Sequence, residues 1–111
     1  MLNIWAEKTR DKEKKMKKFM FLSVGFKTPT PEIEDAWGKW FESIRDKIVD
    51  GGNPFGAARE ITRNGSKELP LGLDSITGYV IINAENLDEA EKIAKTCPII
   101  TGMRVYEAMS M

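Results

Sequence analysis

The chain has 111 residues, with 17 basic and 17 acidic side chains, one cysteine and no histidine. This length suits a single domain, and a hydrophobic content of 41% is enough for a buried core. The composition excludes a two-lobed enzyme, an internal disulfide and a zinc site, and the zero net charge argues against a general nucleic-acid binder. No apolar run approaches the roughly 20 residues of a membrane span, and the first residues lack a secretory signal, so we expect a cytoplasmic protein.

Residues 1–17 are predicted to be a basic N-terminal extension to a domain over residues 18–111. Seven Lys or Arg and three acids give residues 1–18 a net charge of +4. The segment has no apolar period, so a short helix, a flexible arm and an upstream extension all fit it. A basic arm that contacts nucleic acid is the functional interpretation, but charge runs of this length are typical of solvated tails. We therefore expect no nucleic-acid partner.

The first half of the domain is predicted to be a strand followed by a helix. Phe19 to Val24 is a short apolar run, typical of a central strand covered on both faces. Thr30 and Pro31 mark a helix start, as N-cap and first helical residue. The helix is predicted to end at Asp50-Gly51-Gly52. Its buried stripe recurs at steps of three and four and comprises Ile33, Ala36, Trp37, Trp40, Phe41, Ile44 and Ile48.

The next segments predict strands separated by turns. Ala57 to Arg63 indicates a polar edge strand that ends at the turn dipeptide Asn64-Gly65. Ser66 to Ser75 contains Pro70 and Gly72 and predicts mostly loop. Ile76 to Ala84 is rich in β-branched and aromatic residues and predicts a second central strand.

The remaining segments predict a second helix and a last strand. Asn86 can cap the helix, and Pro98 ends it. Met103 to Met109 predicts the last strand. The helix is expected to present one apolar face to the core, made of Leu87, Ala90, Ile93, Ala94 and Cys97.

The resulting order, βαββαβ, predicts an α+β fold of the ferredoxin-like type. In that arrangement both helices cover one face of a four-stranded antiparallel sheet. Phe19 to Val24 and Tyr79 to Ile82 are apolar at consecutive positions, so the second face also needs cover. A chain of this size has nothing left to cover it, and a bare apolar sheet is a liability. We therefore expect a homodimer joined through the open sheet face.

Several segments resemble the YCII-related (DGPF-type) family over residues 16–111. The similarity is carried by the Gly78-Tyr79 strand, by Leu87-Asp88-Glu89-Ala90 and by Cys97-Pro98, together with Met16-Lys17-Lys18-Phe19 and Trp37-Gly38-Lys39-Trp40. This resemblance implies a dimeric α/β barrel built on the ferredoxin-like fold. The chain lacks the Asp-Gly-Pro-Phe signature, since Ser66 to Leu71 stands in its place. It also lacks the histidine that some members are proposed to use in catalysis.

Without histidine, a general base would have to be a carboxylate whose proton affinity is raised by burial. The first candidates for this base are Asp50 and Asp74, and the next are Glu60 and Glu107. Each of them also fits an ordinary carboxylate that is exposed to solvent. Arg59 could hold an anionic ligand between the sheet and the first helix, or form an ordinary ion pair on an edge strand.

The aromatic residues are the other candidates for a binding site. Trp37 and Trp40 lie one turn apart and could wall a ligand pocket, with Tyr79 facing them or the dimer interface; core packing is the alternative. Cys97 is expected to be an inert buried thiol. Gly51 to Gly56 follows a helix and lacks Lys-Ser/Thr, which indicates a turn and not a phosphate loop.

Two functions therefore fit the sequence, and neither requires a metal or a cofactor. The first is a dimeric module that binds a small molecule or a protein partner without catalysis. The alternative is a cofactor-independent enzyme of the lyase, isomerase or oxygenase kind that uses a cleft carboxylate as base. The missing histidine and signature favour the binding module.

Overall fold

The computed structural model describes residues 16–110 and shows an α+β fold in which two helices cover one face of an antiparallel sheet. The helices are α1 (Pro31–Ser43) and α2 (Leu87–Lys95). The strands are β1 (Lys17–Val24), β2 (Ile48–Asp50), β3 (Ala58–Thr62), β4 (Gly65–Leu69), β5 (Ile76–Ala84) and β6 (Gly102–Ala108). The main sheet has the order β2-β5-β1-β6, which is compatible with the predicted ferredoxin-like class. The predicted basic extension lies outside the described range except for its last two residues.

Both helices begin where the sequence predicts because each start carries a side-chain cap. The Ile33 N–H donates a hydrogen bond to Thr30 Oγ1 (3.2 Å), and the Glu89 N–H donates one to Asn86 Oδ1 (2.9 Å). Each cap satisfies a backbone donor that has no partner within its helix. Acidic residues follow in both first turns, where the helix dipole stabilises them.

The prediction that the first helix continues to Ile48 is wrong. Helix α1 ends at Ser43, whose hydroxyl donates to the Trp40 carbonyl oxygen (2.6 Å), and a short 3₁₀ turn over Arg45–Lys47 follows. Ile48 then lies in β2, opposite Ile82 of β5. The helical spacing misled the prediction because Ile44 and Ile48 both face the same core, one from the end of the helix and one from a strand.

The predicted edge strand and loop between residues 57 and 75 also need correction. The edge position next to β5 belongs to β2 and to Pro54, which pairs with Gly78. Strand β3 pairs only with β4, in a separate hairpin, so the first residues of the predicted loop are a strand. The Asn64-Gly65 turn accounts for this pairing because a tight turn returns the chain directly onto its own strand. Pro70 to Ser75 is loop, as predicted.

The core lies between the helices and the covered face of the sheet. Phe19, Phe21 and Ile82 are fully buried there. Trp40 and Ile44 reach the core from the first helix, and Ala90, Ile93, Ala94 and Cys97 reach it from the second. Leu87 was expected to point inward, but it is 55% exposed because α2 begins at this residue, at the margin of the core.

Within residues 16–110, no helix packs on the other face of the sheet. We call it the open face. Its side chains alternate with the buried ones along each strand, as the period of a strand requires. The apolar and aromatic members of the open face are Met20, Leu22, Tyr79, Ile81 and Tyr106.

Candidate functional site

The residues predicted for a site lie in three separate places. Trp37 and Trp40 lie on the helix-covered side of the sheet. Asp50 and Tyr79 meet on the open face. Arg59 and Asp74 lie away from both faces.

The two tryptophans of α1 pack edge to face, with ring centroids 5.6 Å apart and an interplanar angle of 88°. Trp40 is 3% exposed, and its indole Nε1–H donates to Thr96 Oγ1 (2.9 Å) at the end of α2. The Thr96 hydroxyl in turn donates to the Ile93 carbonyl oxygen (2.7 Å). Trp40 therefore belongs to the core, and Trp37, which is half-buried beside it, is the one at a cavity.

Two adjoining hollows lie beside the first turns of α1. The inner one is a cavity of about 20 Å³, enough space for one water molecule. Trp37 and Met103 border it, together with residues at the ends of β1 and β6. The outer one is an open groove of about 310 Å³, at the lower limit of small-molecule sites. Both share Ile99 and Ile100, and the groove is lined by Lys27, Glu32, Ile33, Ala36, Pro98, Ile99 and Ile100.

The groove has fixed walls because the chain is held on both sides of it. The cap at Thr30 sets where α1 begins. On the other side, the Thr101 N–H donates to the Val24 carbonyl oxygen (3.1 Å), which ties the end of the segment over residues 98–100 to the sheet. Ile99 is 45% exposed and Ile100 is 37% exposed as a result. Sequence reasoning missed this pair; its one signal was two apolar residues in a loop directly after Pro98.

On the open face, Tyr79 and Asp50 form the second pair. The Tyr79 hydroxyl donates to Asp50 Oδ2 over 3.3 Å, and the Gly52 N–H donates to Asp50 Oδ1 over 2.8 Å. The ring of Phe55, which is not among the predicted site residues, stacks on the Tyr79 ring at a centroid distance of 5.8 Å. Asp50 is exposed to solvent, and so are Glu60 of β3 and Glu68 of β4.

The remaining candidates lie apart from both hollows. Arg59, considered either as an anion holder between the sheet and the first helix or as part of an edge-strand ion pair, lies exposed on the β3–β4 hairpin, opposite Glu68. It lies away from the first helix because β3 pairs with β4 instead of joining the main sheet. Asp74 is exposed in the loop over residues 70–75, which the Ser75 hydroxyl holds by donating to the Pro70 carbonyl oxygen (2.9 Å).

Cys97 is buried at 6% exposure in the core, as predicted. Burial raises the pKa of the Cys97 thiol to about 12, because a thiolate would lose its hydration there. The thiol is therefore protonated at neutral pH, which makes it a poor nucleophile.

Within residues 16–110, no charged or polar side chain is buried, and no three His, Cys, Asp or Glu side chains are grouped to hold a metal. The same part of the chain contains no helix that is long and apolar enough to cross a membrane. Comparison with the models of known protein families gives no match, and comparison with curated proteins finds no significant relative.

Proposed function

We propose that this protein is a homodimer, related to the YCII-related family, that binds a small apolar molecule without catalysing a reaction. The observation that carries the binding function is the groove beside α1. Its lining includes the apolar residues Ile33, Ala36 and Ile99 and one charge of each sign, Lys27 and Glu32. Such a site suits an apolar body with one polar end.

The open face supports the homodimer. Met20, Leu22 and Ile81 lie side by side at its centre, where β1 pairs with β5. An apolar surface of this kind is a usual mark of an interface. Packing the open faces of two copies together would produce the dimeric α/β barrel that the family resemblance implies. The order of strands and helices also supports the relationship to the YCII-related family, which stays a proposal.

The binding proposal is tested by the thermal shift that octanoate and octylamine produce in the full chain. Both probes have apolar tails of nearly the same length and carry opposite charges, so they report whether Lys27 or Glu32 contributes to binding. We expect at least one of them to raise the melting temperature, because a ligand bound only to the folded state stabilises it by mass action.

The matched variants are Ala36→Trp, which fills the groove, and Lys39→Trp, which adds the same side chain at an exposed position of the same helix. Ala36→Trp should abolish the shift, and Lys39→Trp should keep it. A shift that survives in Ala36→Trp would place the ligand elsewhere. No shift with any member of a broader metabolite panel, in a protein that is a dimer, would favour a protein partner instead.

The alternative, a cofactor-independent enzyme, rests on one observation. Of the two carboxylates considered first as a base, Asp50 is the one held in place by donors, from Gly52 and Tyr79. The absence of a buried carboxylate in the described part of the chain weighs against this alternative. If turnover of any panel compound is found, Asp50→Asn should reduce its rate strongly and Asp74→Asn should not; equal rates in all three proteins would remove the carboxylate from the mechanism.

A further inference from the structure

The hairpin formed by β3 and β4, residues 58–69, is the least supported part of the fold; we call it the arm. All ten of its strand residues are exposed, and Ile61 is 80% exposed. The two strands contact one another extensively and no other helix or strand to a comparable degree. A two-stranded hairpin alone in water is only marginally stable. The arm therefore needs a surface to pack on, and residues 16–110 of its own chain do not supply one.

The arm begins at the edge of the open face. Pro54 pairs with Gly78, and the Phe55 N–H donates to the Thr77 carbonyl oxygen (2.8 Å), so the segment that leads into the arm continues along β5. The Phe55 ring stacks on Tyr79, a member of the open face. The arm thus extends the same surface through which we propose that two copies meet.

The area of the open face indicates that the arm contributes to that contact. The four strands contain 27 residues, which at about 3.3 Å along a strand and about 4.8 Å between strands cover a projected area of roughly 430 Å² per copy. A stable interface buries about 800 Å² per partner. An arm that lies on the second copy supplies the missing area.

The charges of the arm favour a second copy over a charged partner. Glu60 and Lys67 form an ion pair across the hairpin (3.4 Å), and Arg59 faces Glu68 in the next pair of the ladder. These four charges cancel, and Arg63 leaves the arm with a net charge of +1. Nucleic-acid binding requires several uncompensated positive charges, and the arm has one. An apolar side chain on an arm of low net charge suits a copy of this chain, whose own net charge is zero.

We propose that, in the homodimer, the arm of each copy packs against the second copy beside its open face, with Ile61 as the apolar anchor. This inference rests on the proposed dimer and adds to it an exchange of arms between the two copies. The side chain of Ile61 is then buried by assembly, although it contributes nothing to the core of its own chain.

The first test measures the dimer dissociation constant of the full chain by sedimentation equilibrium. Ile61→Asp should raise this constant by about tenfold or more, because it places a charge in the contact. The control is Leu87→Asp, which makes the same kind of change at an exposed leucine on the opposite layer, and it should leave the constant within about twofold. Ile81→Asp, at the centre of the open face, should abolish the dimer.

The second test measures amide hydrogen exchange in residues 58–69 above and below the dissociation constant. We expect protection in the dimer that is lost on dilution, since an isolated hairpin opens readily. A dimer that Ile81→Asp disrupts but Ile61→Asp does not, with exchange in the arm independent of concentration, would overturn the role of the arm and leave the sheet contact standing. A monomeric wild-type chain would overturn the proposed dimer, and the arm exchange with it.

Discussion

The hydrogen bond between Trp40 and Thr96 joins residues that lie 56 positions apart in the chain. It satisfies the one polar group of a side chain that is otherwise packed against Phe21, Trp37 and Phe41. A buried indole N–H without an acceptor is costly, so this single contact fixes how the end of α2 sits against α1.

Thr96→Val tests this contact, because valine keeps the branched shape and removes the acceptor. We expect it to lower the free energy of unfolding by about 1 kcal/mol. The measurement is urea unfolding, with Thr28→Val in the exposed loop before α1 as the control. If both variants lose the same stability, the Trp40 hydrogen bond does not contribute to stability.

The buried thiol of Cys97 predicts that the free energy of unfolding depends on pH. Its pKa is raised in the folded state, from about 9 to about 12, so the unfolded chain loses this proton first. The stabilising contribution of the protonated thiol is therefore complete below pH 9 and is lost as the pH rises toward 12.

Cys97→Ala removes this effect. Between pH 8 and pH 10.5 the wild type should lose about 2 kcal/mol more stability than Cys97→Ala, measured by urea unfolding at each pH. Other groups that titrate in this range affect both proteins equally, so the comparison isolates the thiol. Parallel pH profiles would show that Cys97 is not protected by the core.

At the scale of elements, the sequence predicts the features that local signals determine. The caps at Thr30 and Asn86 locate both helix starts, and the β-branched run over Ile76–Ala84 locates β5 with its correct ends. The end of α1 and the position of β2 depend on which partner strand is available, and only tertiary pairing decides that. Three residues, Ile48–Asp50, carry too little pattern to be recognised as a strand.

The same distinction explains what the sequence predicts of the candidate site. Trp37 is identified because an aromatic residue on an amphipathic helix is expected at a core or a pocket. The groove itself depends on where residues 98–100 lie relative to α1, which is set by the bond between Thr101 and Val24. No local pattern encodes that distance.

The turn after β2 requires a glycine at position 52. Gly52 has a φ of +74°, and a Cβ at this position would overlap the carbonyl oxygen of Tyr79. Other residues avoid this backbone region, and β5 cannot move away without separating from β1.

Gly52→Ala should therefore lower the free energy of unfolding by about 2–4 kcal/mol. The neighbouring Gly51 provides a matched control, since a Cβ there meets no atom within 4 Å. Gly51→Ala should change stability by less than about 0.5 kcal/mol in the same thermal or urea unfolding measurement. A similar loss in both variants would attribute the effect to the flexibility of the turn.

At the scale of the whole molecule, the open face couples stability to concentration. If two copies bury this face only when folded, assembly stabilises the folded state by mass action. Within residues 16–110, no helix covers Met20, Leu22 and Ile81, so we expect the coupling to be large enough to measure.

The melting temperature of the wild type should rise as the protein concentration is increased, and that of Ile81→Asp should not. Differential scanning calorimetry over a hundredfold range of concentration makes the comparison. The control is Leu87→Asp, which should follow the wild type. A melting temperature that is independent of concentration in all three proteins would indicate that the open face is not an interface.

The arm leaves the main sheet after Gly56 and returns before β5, and the core takes no side chain from it. Its length and sequence can therefore drift without disturbing the four strands and two helices, because insertions and deletions are tolerated where few contacts cross. If two copies exchange arms as we propose, gene duplicates that kept the same core but diverged in this connection would no longer fit each other's arms. The hairpin could in this way decide, over evolution, which paralogues pair and which stay separate.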